Sequence, residues 1–173
     1  MIIPKKVIDL ILPFNFVSMY ELGNKKTDGQ PYRIFYEYIN VEYMSIDING
    51  MDGAIVLDLE IPILNLKSRD MVANIGTAEH VMNQEQVFRN IHNLSHFRMV
   101  HWVPKEKKRS KHGYWGYTED FFKMLAELNN YQIEKLYTLK YRHGIVCCSY
   151  RKTNSKLYKH IPINCYMKMR WIS

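Results

Sequence analysis

Met71-Val-Ala-Asn-Ile75 followed by Gly76-Thr-Ala-Glu-His80 is the stretch that decides the fold. A short, uncharged, mostly apolar run meets a glycine, and polar residues take over at once. A strand buried on both faces of a sheet reads this way, because neither face can afford charge. The pattern recurs along the chain. Phe16–Tyr20 ends at Glu21-Leu-Gly23, Tyr43–Ile46 at Asp47, Ala54–Leu57 at Asp58 and Phe97–Val103 at Pro104. Each run is bounded by turn-forming residues, so each is expected to be a strand.

Helices show most clearly in the later half. Over Asn83–His92, Val87, Phe88 and Ile91 share one helical face. Thr118-Glu-Asp begins a second helix with an N-cap and an acidic first turn; Phe121, Phe122, Leu125 and Leu128 form its apolar stripe. Asn129-Asn130 ends it. The early helices leave little trace, and the connection over 47–54 is too short to hold one. Two last strands, Gln132–Leu139 and Gly144–Tyr150, lie too close for a parallel crossover and so form an antiparallel hairpin. The expected fold is α/β: a Rossmann-like three-layer sandwich, its sheet mostly parallel with an antiparallel C-terminal hairpin strand.

A chain of 173 residues, 47% hydrophobic and 24% charged, suits a single domain spanning 1–173. No segment approaches the roughly 20 apolar residues that cross a bilayer, and no leader pattern opens the chain, so no membrane is expected and a cytoplasmic location is. The three cysteines make no disulfide framework; Cys147 and Cys148, adjacent on a strand, should point to opposite faces. His92 and His96 share a helical face but lack a carboxylate partner, so no metal site is expected. The net charge of +7 is uneven. Residues 1–103 sum to −3 and residues 104–173 to +10. Lys105-Glu-Lys-Lys-Arg-Ser-Lys-His112 is the densest basic run, and Tyr114, Trp115 and Tyr117 beside it could stack on bases. An anionic partner, nucleic acid included, is therefore an open expectation for the basic C-terminal third.

In open α/β sheets, ligands bind beyond the carboxyl ends of the strands. There the chain places Glu21-Leu-Gly-Asn24, Asp47-Ile48, Asp58-Leu59 and Gly76-Thr77. A glycine admits close backbone approach. A carboxylate ending the second strand can accept from two ribose hydroxyls. An Asp ending the third can accept an adenine amino group, with an apolar neighbour against the ring. The order of these pieces resembles the Rossmann-like, class I, S-adenosylmethionine-dependent methyltransferases. Glu21-Leu-Gly23 is similar to that family's glycine loop, although Lys25 and Lys26 stand where further glycines are usual. Asp47 matches its ribose position and Asp58 its adenine side. Thr77-Ala-Glu-His-Val81 resembles its fourth-strand motif.

The resemblance implies S-adenosylmethionine as cofactor, held by Glu21, Gly23, Asn24, Asp47, Ile48, Asp58, Leu59, Gly76 and Thr77. It also implies methyl transfer to an acceptor the sequence does not identify. Histidine titrates near neutrality, so His80 and His112 are the expected catalytic bases if the acceptor must lose a proton. Two other readings stay open: a methyltransferase-fold scaffold without activity, and a basic nucleic-acid-binding protein.

Overall fold

The computed structural model describes residues 5–27, 29–106, 113–140, 144–154, 156–161 and 167–169. Its centre is a six-stranded sheet in the order β4-β1-β5-β6-β9-β8. These strands are β1 (Ser18–Leu22), β4 (Glu42–Ile46), β5 (Arg69–Ile75), β6 (Ser95–Pro104), β8 (Tyr131–Leu139) and β9 (Ile145–Lys152). β4, β1, β5 and β6 run parallel, with Leu22 beside Ile46 and Ala73 beside Val100. β9 is antiparallel and inserts between β6 and β8. The expected hairpin thus forms, with its second strand turned inward and β8 left at the edge.

Helices cover both faces. α1 (Lys5–Ile11) and α2 (Tyr32–Tyr38) lie on one, packing Leu10, Ile11 and Tyr36 against Met19, Met71, Ala73 and Val100. α3 (Gln84–Leu94) and α4 (Glu119–Asn129) lie on the other, packing Phe88, Ile91, Phe121 and Phe122 against Val72, Met99 and Tyr150. Alternation along each strand sorts its side chains between the two cores. Cys147 enters the first core and Cys148 the second, as adjacency on a strand requires. α4 starts where expected, with Thr118 Oγ1 accepting from the Phe121 amide at 3.1 Å. It ends on Asn130 in the left-handed conformation. Among the described residues no helix is long and apolar enough to cross a membrane.

One expected strand is corrected. Ala54–Leu57 does not form a strand: Ile55 alone bridges Ile46, donating to the Ser45 carbonyl and accepting from the Asp47 amide. The cause is local. Asp47 Oδ1 accepts from the Asn49 amide, and Asn49 Oδ1 from the Met51 amide, so successive Asx turns reverse the chain at once. Only a single 3-10 turn, Met51–Gly53, lies in this connection; Ala54 is buried and Ile55 and Leu57 pack against the core, but Val56 is exposed and Asp58 turns the chain away again. Two further two-stranded pieces complete the fold. β2 (Lys26–Thr27) pairs β3 (Gln30–Pro31), and β7 (Trp115–Tyr117) pairs β10 (Met167–Met169).

Candidate ligand site at the strand tips

The carboxyl ends of β1, β4 and β5 open onto a cavity of about 380 Å³. Eight of the eleven expected site residues line it, drawn from four separate segments: Gly23; Asp47 and Ile48; Asp58 and Leu59; Gly76, Thr77 and His80. Chain positions 57 residues apart therefore meet because their strands are neighbours in register.

Gly23 continues β1, its amide bonded to the Ile46 carbonyl at 2.8 Å. Its φ of +73° favours glycine, and an added Cβ would stand 2.3 Å from Thr77 Oγ1. Thr77 Oγ1 in turn donates to the Leu22 carbonyl at 2.6 Å, locking the β1 and β5 tips together. Asp47 is gripped by backbone. Its Oδ2 accepts from the Asn24 amide and its Oδ1 from the Asn49 amide, each at 3.0 Å. A carboxylate has about four lone-pair sites, so both oxygens keep capacity for a ligand hydroxyl. Asp58 Oδ1 accepts from the Glu60 amide at 2.8 Å, which fixes the turn and presents Leu59 and Glu60 to the cavity.

Two expected cofactor residues lie behind the cavity wall instead of in it. Asn24 positions Asp47, while its own Nδ2 donates to the Met51 carbonyl and to Asp52. Glu21 faces the α2 side of the sheet, fully buried, with the Tyr43 hydroxyl donating to Oε2 and no hydrogen-bond partner for Oε1. Burial pushes its carboxyl up to about 8, against the opposing pull of Tyr43 and of the Lys25 charge. The alternation that sends Tyr20 and Leu22 to one core sends Met19 and Glu21 to the other.

His80 lies on the cavity rim at the end of a short turn, Ala78–His80. Its Nε2 is 4.0 Å from Glu79 Oε1, and Glu79 is buried. Gly113 crosses closely above this turn: an added Cβ would lie 2.8 Å from the Glu79 carbonyl, and the Tyr114 amide donates to that carbonyl at 2.7 Å. His112 and positions 107–111 of the basic run lie outside the described residues.

One other expectation is corrected. Trp115 and Tyr117 are buried and Tyr117 donates to Gln84 Oε1 at 2.7 Å, so of the three aromatics only Tyr114 is exposed for stacking. They are buried because β7 pairs β10 and packs against α3 and α4. His101, in β6, points into the α3–α4 core between Phe88, Phe122 and Tyr150, and burial lowers it to about 3. His92 engages both ring nitrogens, with the Tyr131 hydroxyl at 2.6 Å and the Lys156 carbonyl at 2.9 Å. It is a structural clasp, not half of a ligand pair.

Lys25, Glu60 and Val81 also line the cavity, and none was expected from sequence. Lys25 Nζ donates to the Gly76 carbonyl at 2.7 Å. Its signal was visible only as a departure, a lysine where a glycine is usual.

No protein-family model and no curated protein matches the sequence. Solved structures do match the fold. A candidate S-adenosylmethionine-dependent methyltransferase of Listeria monocytogenes superposes with a TM-score of 0.62 at 10% identity, covering 87% of this chain and 97% of that one. A TehB-like S-adenosylmethionine-dependent methyltransferase of Corynebacterium glutamicum gives 0.56 at 15% identity, covering 86% of each. TrmK of M. capricolum, solved with S-adenosyl-homocysteine, gives 0.55 at 12% identity, covering 91% of this chain and 70% of that one. At such identities the likeness is one of fold: this chain has the class I, Rossmann-like methyltransferase fold.

Proposed function

We propose that the chain binds S-adenosylmethionine at the strand-tip cavity and transfers its methyl group to an acceptor. The observation carrying this reading is the convergence of Gly23, Asp47, Asp58 and Gly76-Thr77 on one cavity at the topological position where such sheets bind ligands. The donor set fits the cofactor. The cavity volume lies in the usual range for small-molecule sites, about 300–1,000 Å³. Asp47 would accept from the ribose hydroxyls, its carboxylate already aimed by two backbone amides. Ile46, Leu59 and Val81 supply apolar surface for the adenine ring, and Asp58 stands beside Leu59 for its amino group.

The bound group supplies an electrophilic methyl carbon on a sulfonium. The chain's own contribution is to orient and to exclude water, since in-line displacement is accelerated chiefly by near-attack positioning. His80, on the rim beside the buried Glu79, is the described group best placed to take a proton from an oxygen or nitrogen acceptor. His112 is a second candidate on sequence grounds. The excess of cations over 104–173 supports an anionic acceptor, with nucleic acid as the class to try first.

Calorimetric titration with S-adenosylhomocysteine tests the reading. The expected dissociation constant is about 100 μM or tighter, near −5.5 kcal/mol, and Asp47→Ala should weaken it at least about tenfold by removing a charge-assisted contact. No heat with the wild-type protein would leave the fold without this cofactor. Unchanged affinity in Asp47→Ala would remove Asp47 from the site.

A further inference from the structure

Lys25 is held more firmly than a surface lysine. Its carbonyl accepts from the Tyr32 amide at 2.9 Å, and the neighbouring Asn24 amide is bonded to Asp47, so the backbone is fixed on both sides. Its side chain reaches the β5 tip, where Nζ donates to the Gly76 carbonyl. Among the described residues lining the cavity it is the single lysine or arginine; the lining carboxylates are Asp47, Asp58 and Glu60.

An ammonium carries three donors, and a neutral carbonyl satisfies one of them without neutralising the charge. A partly desolvated cation gains most from an anion within hydrogen-bond reach. The lining carboxylates are aimed by backbone: Asp47 by two amides, Asp58 by the Glu60 amide, and Glu60 Oε1 by the Met82 amide at 2.8 Å, while the buried Glu21, which feels the Lys25 charge, lies outside the cavity. The cavity thus carries a fixed cation at its β1–β5 end and a carboxylate for hydroxyls at its β4 end.

We infer that Lys25 anchors the amino-acid carboxylate of the bound cofactor, with the ammonium taking the place of bare glycine-loop amides. This rests on the S-adenosylmethionine reading above and names the group that selects the amino-acid part of that ligand. A ligand keeping the adenosine but lacking the carboxylate should be indifferent to Lys25.

Two probes separate these contributions: S-adenosylhomocysteine, which carries the carboxylate, and 5′-methylthioadenosine, which does not. Each is titrated into the full-length wild-type protein and into Lys25→Met and Lys25→Arg, with thermal unfolding checked for each variant. Lys25→Met is expected to lose about tenfold to a hundredfold in affinity for S-adenosylhomocysteine, the range of one charged hydrogen bond. Its affinity for 5′-methylthioadenosine should stay within about twofold, and Lys25→Arg should recover most of the loss. Equal losses for both probes, no loss for either, or a gain for S-adenosylhomocysteine would each overturn the anchor; a gain would make Lys25 a competitor for the site. A wild-type protein that binds 5′-methylthioadenosine no more weakly than S-adenosylhomocysteine also overturns it while leaving the cofactor reading standing. Binding of neither probe removes both.

Discussion

Replacing Glu21 with glutamine should make the protein more stable, and only above a particular pH. The carboxyl is fully buried, receives one hydroxyl from Tyr43 and leaves Oε1 without a partner. Burial raises it from 4.5 to about 8. Below pH about 4.5 the group is protonated in both folded and unfolded chains and contributes no pH dependence. Between about 4.5 and 8 the unfolded chain has released the proton and the folded one keeps it. Stability therefore falls as pH rises, by about 1.4 kcal/mol per pH unit for this group. Above 8 both states are ionised and the loss levels off, at a total on the order of 5 kcal/mol. Glutamine has nearly the same shape, accepts from Tyr43 and cannot ionise, so it abolishes the slope. Urea unfolding of both proteins from pH 4.5 to 8.5 reads the difference directly, since all other titrations cancel. The curves should lie close together at the acid end and diverge by several kcal/mol at the alkaline end, the variant above. A pH-independent difference, or a wild type that gains on the variant with rising pH, would refute the reasoning.

Gly23→Ala should destabilise the fold by about 1–3 kcal/mol, because a positive φ and a Cβ 2.3 Å from Thr77 Oγ1 must both be accommodated; thermal unfolding measures it, and a neutral result would mean that the β1 and β5 tips can part. Thr118→Ala removes the side-chain cap on the Phe121 amide and should cost about 1 kcal/mol by urea unfolding; no loss would mean that another group caps α4. Phe122→Ala, a fully buried ring among Phe88, Phe121 and Tyr150, should cost about 3–5 kcal/mol; a cost under 1 kcal/mol would contradict the packing of α4. Neutralising Lys107, Lys108 and Arg109 should reduce binding to a single-stranded nucleic acid and flatten its salt dependence, whereas unchanged binding would make the basic run solvated surface.

Much of this was legible in one dimension. The buried strands announced themselves because a sheet covered on both faces disfavours charge, so Met71–Ile75 read as a strand without any partner in view, as did Phe97–Val103, whose one charge, Arg98, sits near its start. α3 and α4 were legible because period 3.6 and capping are local properties. α1 and α2 were not. Each is seven residues long and shaped by the sheet face it covers, so its helicity is a tertiary property. The failure of 54–57 to become a strand had the same origin: its apolar run is real, but the chain meets the β4 edge only at Ile46–Ile55 before Asp58 turns it away.

The site divides along the same line. Polar residues at the ends of apolar runs were enough to nominate Gly23, Asp47, Asp58 and Thr77, because strand ends in a parallel sheet converge wherever the strands lie side by side. Which face each side chain takes was not legible. One step along β1 separates Leu22, in the core beside the cavity, from Glu21, sealed beneath α2. The sequence by itself determined the layered α/β fold and the segments that meet at its ligand edge, since burial and turn chemistry are written residue by residue. Only the tertiary structure decided that Glu21 is buried on the α2 side, that Trp115 and Tyr117 are core, and that Lys25 reaches Gly76, because those outcomes depend on register between strands that no local pattern records.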